Sequence, residues 1–348
     1  MLGVQCAYWI ALRIGFRHAA RRTNDGGTLA PLTVVVAARN EETRLPVLLD
    51  GLEKQTHPNF EVIVVDDGSI DRTAGVVDAR RPPYRLRLIR HEGGNKKRAL
   101  SRGIEAAEHD LLALTDADCE PPPGWLASLA RAHTAAENPS VLIGYSPFRR
   151  GTGSLMQRLA CFETFVTGFL TAAAAGLDRP YMAVGRNISY PRHVFRKVDG
   201  FEPIMHSLSG DDDLLVQEIV RRSAADVRAL LDPESFVPTA PPATWKEWLR
   251  QKRRHASAGR HYPPGIQAHL TLFHGTNLLT WLAPVFLGWM GTALLVLRLA
   301  VQFGALAEGA RRLGEERLLS ALPVLDLLYV LYNTVVAPLA LLFQPRKW

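Results

Sequence analysis

Four short apolar runs, each followed by a helical or turn-forming segment, constrain the first half of this chain more than any other feature. They are rich in Val, Ile and Leu, as buried parallel strands are, and cover residues 31–39, 60–65, 85–89 and 111–115. Leucines at helical spacing follow the first run at positions 45, 48, 49 and 52. Strands that alternate with helices predict an α/β fold with a mainly parallel sheet flanked by helices.

Polar clusters follow three of these runs, where a parallel sheet binds its ligands. They are Arg39-Asn40-Glu41, Asp66-Asp67 and Asp116 to Asp118. Carboxylates at such a place can accept hydrogen bonds from a nucleobase or from ribose hydroxyls. For the Asp66-Asp67-Gly68-Ser69 segment, a turn that caps the next helix is an equally good interpretation, because Asp, Gly and Ser all favour such turns.

Asp116 and Asp118 are two carboxylates one residue apart at a strand end. Such a pair can face a shared Mg²⁺ or Mn²⁺, hard ions that prefer carboxylate and phosphate oxygens. A bound ion would bridge a diphosphate and stabilise the charge that develops as it leaves. A capped loop that ends at the prolines of residues 121–123 is the alternative.

A triple acid, Asp211-Asp212-Asp213, opens a predicted helix. One of these groups could serve as a general base toward an acceptor hydroxyl. Plain negative charge at a helix N-terminus is the alternative. Lys96 begins another predicted helix, where it could approach a donor phosphate. For its neighbours Lys97 and Arg98, a run of solvated charges is at least as good an interpretation.

The stretch from Leu270 to the end is mostly apolar and predicts membrane helices. The run from Leu270 to Leu297 is long enough to span a bilayer, and Gly288 and Gly291 could instead divide the stretch to Phe303 into two tightly packed segments. We predict two spans within residues 270–345 and leave a third open. Residues 1–22 predict a membrane or interfacial helix. Residues 241–265 predict a basic amphipathic helix at the interface.

The net charge of +7 comes from basic clusters that lie beside these apolar segments, which favours an anionic membrane surface over nucleic acid. The three cysteines lie far apart without metal-ligand spacing and are expected to be reduced thiols.

Six segments in order resemble the family 2 glycosyltransferases, which have the GT-A fold. They are VVVAARNEE (34–42), VIVVDDGSIDRT (62–73), NKKRAL (95–100), LTDADCEPPPGWL (114–126), SGDDDLL (209–215) and QKRRH (251–255). The resemblance implies a catalytic domain at residues 30–240. It also implies an inverting, in-line transfer of a sugar from a UDP- or GDP-sugar to a lipid-linked or glycan hydroxyl, as in the synthesis of cell envelope polysaccharides.

The resemblance also implies roles for individual residues. Asp67, next to Asp66, would hold the base, and Asp116 and Asp118 would form the metal site for Mg²⁺ or Mn²⁺. Asp212 would be the catalytic base, with Asp211 and Asp213 left open. The remaining residues expected to bind the donor are Ala38, Asn40, Glu41, Lys96, Gln251, Arg253 and Arg254.

One departure concerns processivity. Processive members carry Gln-x-x-Arg-Trp at the membrane-side helix, and His255 stands here in place of the Trp. We therefore expect single-sugar transfer, with a processive polysaccharide synthase as the alternative. A catalytically idle membrane scaffold is a second alternative, which the retained acids disfavour. A dinucleotide-dependent oxidoreductase is disfavoured because no GxGxxG follows the first strand. Since nucleotide sugars are cytosolic, we expect a multi-pass protein of the cell membrane with its catalytic domain on the cytoplasmic side.

Overall fold

The computed structural model describes residues 1–22, 27–135, 140–149, 153–223, 225–336 and 338. The chain forms two compact units. The sheet unit draws its described residues from 21–149 and 180–240, and the helical unit draws them from 1–20, 150–179 and 241–345.

The sheet unit contains a seven-stranded sheet with the order β3-β2-β1-β4-β6-β5-β7. β1, β2, β3 and β4 are parallel, β6 runs antiparallel to both of its neighbours, and β7 pairs with β5 in parallel. The predicted fold class, a mixed and mainly parallel sheet, is therefore confirmed. The strands are β1 (Leu32–Ala38), β2 (Phe60–Asp67), β3 (Arg85–His91), β4 (Leu111–Asp116), β5 (Val141–Gly144), β6 (Ile188–Pro191) and β7 (Val227–Leu230).

Helices flank this sheet and bury an aliphatic core. The core gathers the Val, Leu and Ala side chains of β1, β2 and β4 with the leucines of the first helical pattern. Burial of such side chains stabilises the unit by about 1.5–3 kcal/mol each. The helices are α2 (Leu45–Glu53), α3 (Thr73–Asp78), α4 (Lys96–Ala106), α5 (Trp125–Thr134), α7 (Arg192–Lys197) and α8 (Asp213–Ser223).

The strand register brings the polar clusters to one edge of the sheet. Ala38 of β1 pairs with Asp66 of β2, and Ala37 pairs with Asp116 of β4. Because these strands are parallel, the loops that follow them leave the sheet at the same edge. The predicted strand ends fall one or two residues early, since Asp66, Asp67 and Asp116 still belong to their strands.

The helical unit contains α1 (Leu2–Arg21), α6 (Leu155–Gly176), α9 (Trp245–Ser257), α10 (Pro264–Leu313) and α11 (Leu322–Leu331). α6 lies within the residues predicted for the catalytic domain, 30–240, but it groups with the helical unit. Three helices of the described chain are long and apolar enough to cross a membrane, at residues 155–176, 264–313 and 316–336. The apolar run continues to Phe343, beyond the continuous described segment, so the number of spans stays a prediction.

α10 is two helices that meet at Gly288, whose φ of 54° and ψ of −129° are not helical. Trp281 and Arg298 lie on opposite sides of this break, 17 positions apart, yet both donate hydrogen bonds to the Asp326 carboxylate. A straight helix would separate these two positions by about 25 Å. The chain therefore folds back into a helical hairpin. The turn is close, because a Cβ on Gly291 would lie 2.1 Å from the Ala283 carbonyl oxygen.

Candidate active site

The loops after β1 and β2 are joined by hydrogen bonds around Asn40. The Asn40 N–H donates to Ser69 Oγ at 3.0 Å, and Asn40 Oδ1 accepts from the Ile70 N–H at 2.9 Å. The Glu41 N–H donates to Thr73 Oγ1 at 2.8 Å. Asn40 has a φ of 56°, a conformation that Asn tolerates better than most residues. These contacts hold the two loops, both expected to line a nucleotide pocket, in one fixed arrangement.

Asp67 is fully buried at the end of β2, and His91 at the end of β3 contacts it. His91 Nδ1 lies 2.8 Å from Asp67 Oδ1, while Asp67 Oδ2 has no hydrogen-bond partner in the described structure. A buried carboxylate oxygen without a donor is costly unless a ligand supplies one. His91 was not predicted from the sequence. Its position opposite Asp67 in the β2–β3 register could have indicated it only once that register was known.

Lys96 connects two of the predicted acidic clusters. Its Nζ lies 2.8 Å from Asp116 Oδ1 and 2.6 Å from Asp211 Oδ2. Burial opposes the charge on this ammonium, but Asp116 and Asp211 outweigh that effect and raise the pKa of Lys96. One cation thus joins the end of β4 to the acid triple, two segments that are 95 residues apart in the sequence.

The acid triple is ordered by backbone donors from residues 183–185 and 213. Asp212 Oδ2 accepts from the Gly185 N–H at 2.9 Å, and Asp212 Oδ1 accepts from the Asp213 N–H at 2.8 Å. Asp213 Oδ1 accepts from the Ala183 N–H at 2.8 Å. The three acids therefore have different partners. Asp211 pairs with the Lys96 ammonium, whereas Asp212 and Asp213 accept hydrogen bonds from backbone N–H groups.

The pKa values of Asp211 and Asp212 are shifted in opposite directions. Burial alone would raise the pKa of Asp211, but the Lys96 ammonium holds it below its usual value. Burial raises the pKa of Asp212, and repulsion from Asp211 raises it further. Environments that separate the pKa values of neighbouring acids are typical of acid–base sites.

Lys97 is not part of a solvated charge run, so that interpretation was wrong. The side chain is 2% exposed, and its Nζ donates to the carbonyl oxygens of Ser207 and Ser209. The charge run continues only with Arg98, which is exposed.

Asp116, Asp118 and Glu41 form a local concentration of negative charge. The pKa of Glu41 is raised to about 7 by burial, by the Asp118 charge and by the Asp116 charge. Among the described residues no group of three or more His, Cys, Asp or Glu side chains is arranged to hold a metal ion alone. Mg²⁺ is commonly held by one or two carboxylates, with phosphate oxygens and water completing the shell. Asp116 and Asp118 fit an ion of that kind, one that binds together with a diphosphate.

Gln251, Arg253 and Arg254 belong to α9 in the helical unit, so their part in donor binding stays a prediction. Within that unit, contacts of Lys252 and Trp248 fix the position of α9. Lys252 is buried and forms an ion pair with Glu163 of α6, and the Trp248 ring packs against Tyr332 at 5.1 Å between centroids. Arg253 is exposed and Arg254 is half-buried.

The segment that supplies β1 to β4 and the helices between them matches a known family. The model of the family described as "Glycosyl transferase family 2" matches residues 33–198, which include Asn40, Asp67, Lys96, Asp116 and Asp118. Residues 33–198 of this chain form a glycosyl transferase family 2 domain. The expectation drawn from the motifs is thereby confirmed.

Individual relatives agree with this assignment. The probable glycosyltransferase YdaM of Bacillus subtilis is 24% identical over 243 residues, which cover 67% of this chain and 56% of YdaM. An uncharacterized glycosyltransferase of Haemophilus influenzae is 30% identical over 192 residues, covering 53% of this chain and 60% of that protein. The chain thus spans between about a third and three fifths of the length of the first curated relatives that it matches.

A solved structure shares the fold. The mannosyltransferase PcManGT from Pyrobaculum calidifontis, in complex with GDP-Man and Mn²⁺, superimposes with a TM-score of 0.58 at 19% identity. The match covers 99% of this chain and all of PcManGT. It confirms the GT-A type of architecture.

Proposed function

We propose that this chain transfers a sugar from a nucleoside-diphosphate sugar to an acceptor hydroxyl, with inversion at the anomeric carbon. The observation that carries the proposal is the Lys96 bridge between Asp116 and Asp211. It brings the predicted metal carboxylate and the predicted catalytic acids within the reach of one ammonium. A donor diphosphate and an acceptor hydroxyl would have to meet at such a place for an in-line displacement.

Asp67 would bind the base of the donor. Its free oxygen, Oδ2, is the acceptor that a ring N–H of uracil or guanine requires, and His91 holds the other oxygen. Lys96 would exchange one of its carboxylate partners for a diphosphate oxygen when the donor binds. The loops that meet at Asn40 would line the same nucleotide site.

Asp212 would be the general base. Its raised pKa makes it a stronger proton acceptor than an ordinary carboxylate, and the backbone N–H groups of Gly185 and Asp213 fix its orientation. The base would take the proton of the acceptor hydroxyl as its oxygen attacks the anomeric carbon, and the nucleoside diphosphate would leave on the opposite face. General-base catalysis of this kind contributes roughly 10²–10⁴-fold to a rate.

Asp116 and Asp118 would hold a divalent ion, Mg²⁺ or Mn²⁺. A bound divalent ion supplies charge neutralisation for the leaving diphosphate. That PcManGT is described in complex with GDP-Man and Mn²⁺ supports this part of the proposal. The donor would accordingly be a UDP- or GDP-sugar, with a hexose as the expected sugar.

The acceptor would be lipid-linked or a glycan at the membrane surface. The helical unit supports membrane attachment through the hairpin of α10, whose turn exposes Val285, Phe286 and Trp289 by 77–80%. No charged, amide or hydroxyl side chain lies between Leu282 and Met290, whereas turns that face water are usually polar. The arginines of α1 and α9 would face the anionic cytoplasmic leaflet. Transfer of single sugars is favoured by His255 in place of the Trp of processive enzymes.

A donor panel tests this proposal. The full chain, purified in detergent, is incubated with UDP- and GDP-sugars in the presence of Mn²⁺, Mg²⁺ or EDTA, and released nucleoside diphosphate is measured with membrane lipid extract as acceptor. We expect metal-dependent release from one donor, lost in Asp118→Ala. The matched control is Glu120→Gln, which removes a half-buried carboxylate two residues away that pairs only with Arg149 among the contacts described.

Two results would contradict the proposal. Absence of both donor binding and release across the panel would favour an idle scaffold. Release that Asp118→Ala leaves at the level of Glu120→Gln would remove the assigned metal site.

A further inference from the structure

Two adjacent lysines open α4, and helix stability does not explain them. Cations are unfavourable at a helix N-terminus, because the backbone N–H groups there already carry partial positive charge. Asn95 caps the helix instead, since its Oδ1 accepts from the N–H groups of Lys97 and Arg98 at 3.0 and 3.3 Å. Lys96 has the ion pairs described above. Lys97 has no carboxylate in ion-pair distance among the contacts described, so its burial needs a separate reason.

The Lys97 ammonium forms hydrogen bonds to the backbone segment that precedes the acid triple. Nζ donates to the carbonyl oxygen of Ser207 at 2.5 Å and to that of Ser209 at 2.8 Å. Gly210 follows with a φ of 80°, and Asp211 and Asp212 come next. A second contact joins the same two segments, since Asn95 Nδ2 lies 3.6 Å from Met205 Sδ. Two residues at the start of α4, Asn95 and Lys97, therefore contact the segment that precedes the catalytic acids.

Burying this cation has an energetic cost that only specific partners can offset. An ammonium removed from water without partners is strongly unfavourable, and hydrogen bonds that involve a charged group are stronger than those between neutral groups. Burial lowers the pKa of Lys97, and the Asp211 and Asp212 charges oppose that shift. The two carbonyls and the two acids thus account for a lysine at this buried place, and they all belong to residues 207–212.

We propose that Lys97 is a positioning residue for the catalytic acids. Its ammonium fixes the backbone of residues 207–209 and so sets where Asp211 and Asp212 stand relative to the bound donor. The inference rests on the proposed function, because it assigns to Lys97 a part in that same reaction. Lys97 would touch neither donor nor acceptor, because its ammonium is occupied by the carbonyl oxygens of Ser207 and Ser209.

The test compares Lys97→Met with Arg98→Met. Both substitutions remove one cation from the first turn of α4, but Arg98 is exposed. In Lys97→Met we expect kcat to fall by about 10- to 100-fold, the loss typical of a reacting group displaced by about an ångström. The donor KM should change less than about threefold, since misplacement of the base does not alter donor contacts. Lys97→Arg, which keeps charge and donors, should lie between Lys97→Met and wild type.

Hydrogen exchange of the amides in residues 205–213 is measured on the same proteins. We expect faster exchange there in Lys97→Met than in Arg98→Met, with exchange in β1 and β2 unchanged. A donor KM that rises while kcat stays constant would overturn the inference and make Lys97 a donor ligand. Exchange equal in the two variants would also overturn it. If wild type itself turns over no donor, the proposed function fails, and the exchange data still decide whether Lys97 holds this loop.

Discussion

At the scale of single residues, the candidate site contains two neighbouring acids, Asp211 and Asp212, whose surroundings differ. Asp211 is neutralised by Lys96, whereas Asp212 is buried beside Asp211 and held by backbone N–H groups. The three consecutive acids look equivalent in the sequence. The contacts separate them, and they lower the pKa of Asp211 while the pKa of Asp212 is raised.

The pH dependence of the reaction follows from that shift. A general base works only when deprotonated, so the rate falls as the pH falls through the raised pKa of Asp212. The acidic limb of kcat should therefore lie above about 3.9, the value of an unperturbed Asp. Profiles of kcat against pH measure this limb. Glu41, whose pKa is raised to about 7, is the group most easily confused with Asp212. An acidic limb that disappears in Glu41→Gln would contradict the assignment to Asp212.

The candidate residues of this site were easier to predict from the sequence than their contacts. Asp67, Asp116 and Asp212 were identifiable because they follow apolar strands or open a helix in family motifs. His91 and Lys97 were missed or misjudged. Each acquires its role from a partner that is 24 or 110 positions away, and local pattern cannot show such a contact.

At the scale of elements, α4 lies unusually close to the sheet. A Cβ on Gly103 would lie 2.5 Å from Val35 Cγ1 and 3.1 Å from Val65 Cγ2. The absence of a side chain at this position lets the helix approach β1 and β2, and so places Lys96 and Lys97 at the ends of the strands.

Gly103→Ala should accordingly destabilise the protein, although Ala favours a helix over Gly. Overpacking of this kind costs about 1–3 kcal/mol, which exceeds the gain in helix propensity of about 1 kcal/mol. Thermal unfolding in detergent measures the effect. Gly75→Ala in α3 is the matched control, because a Cβ there has no neighbour within 4 Å. A melting temperature of Gly103→Ala at or above that of the control would contradict the close packing.

In the helical unit, Asp326 joins α11 to both limbs of the α10 hairpin. It accepts hydrogen bonds from Trp281, Arg298 and Gln302, and both Arg298 and Asp326 are fully buried. Removing one partner of a buried ion pair costs about 3–5 kcal/mol, whereas replacing both by apolar groups is often neutral.

Arg298→Met and Asp326→Leu should therefore each lower the melting temperature strongly, and the double variant should recover most of the loss. Thermal unfolding of the three variants in detergent completes the cycle. Losses that simply add in the double variant would show that the two groups do not depend on each other.

The elements differed in how well the sequence predicted them. The long parallel strands and the helices with leucines at helical spacing were predicted within a few residues. Each contains enough apolar residues for their spacing to show the type of element. β5, β6 and β7 contain four residues each and were not predicted. Runs that short give no reliable period, and their pairing partners lie far along the chain. A division of α10 near Gly288 was predicted as one of two options. A glycine in an apolar run indicates that the helix can break there, but it does not show whether the chain then turns back.

At the scale of the whole molecule, the chain combines a GT-A type of fold with a hairpin that exposes an apolar turn. We expect that turn to lie in lipid. In liposomes that contain brominated acyl chains, the fluorescence of the wild type should be quenched, and Trp289→Phe should reduce the quenched fraction. Trp125→Phe, which removes a fully buried tryptophan of the sheet unit, should leave that fraction unchanged or raise it. Equal quenching of wild type and Trp289→Phe would place the turn outside the hydrocarbon.

If Asp212 activates the acceptor hydroxyl, its loss should slow sugar transfer without weakening donor binding. The most direct test measures donor binding by calorimetry and sugar transfer by product formation, in wild type and in Asp212→Asn. We expect Asp212→Asn to bind the donor with an affinity within about threefold of wild type but to transfer sugar at least about 10²-fold more slowly, as for loss of a general base. Transfer by Asp212→Asn at the wild-type rate would contradict the account.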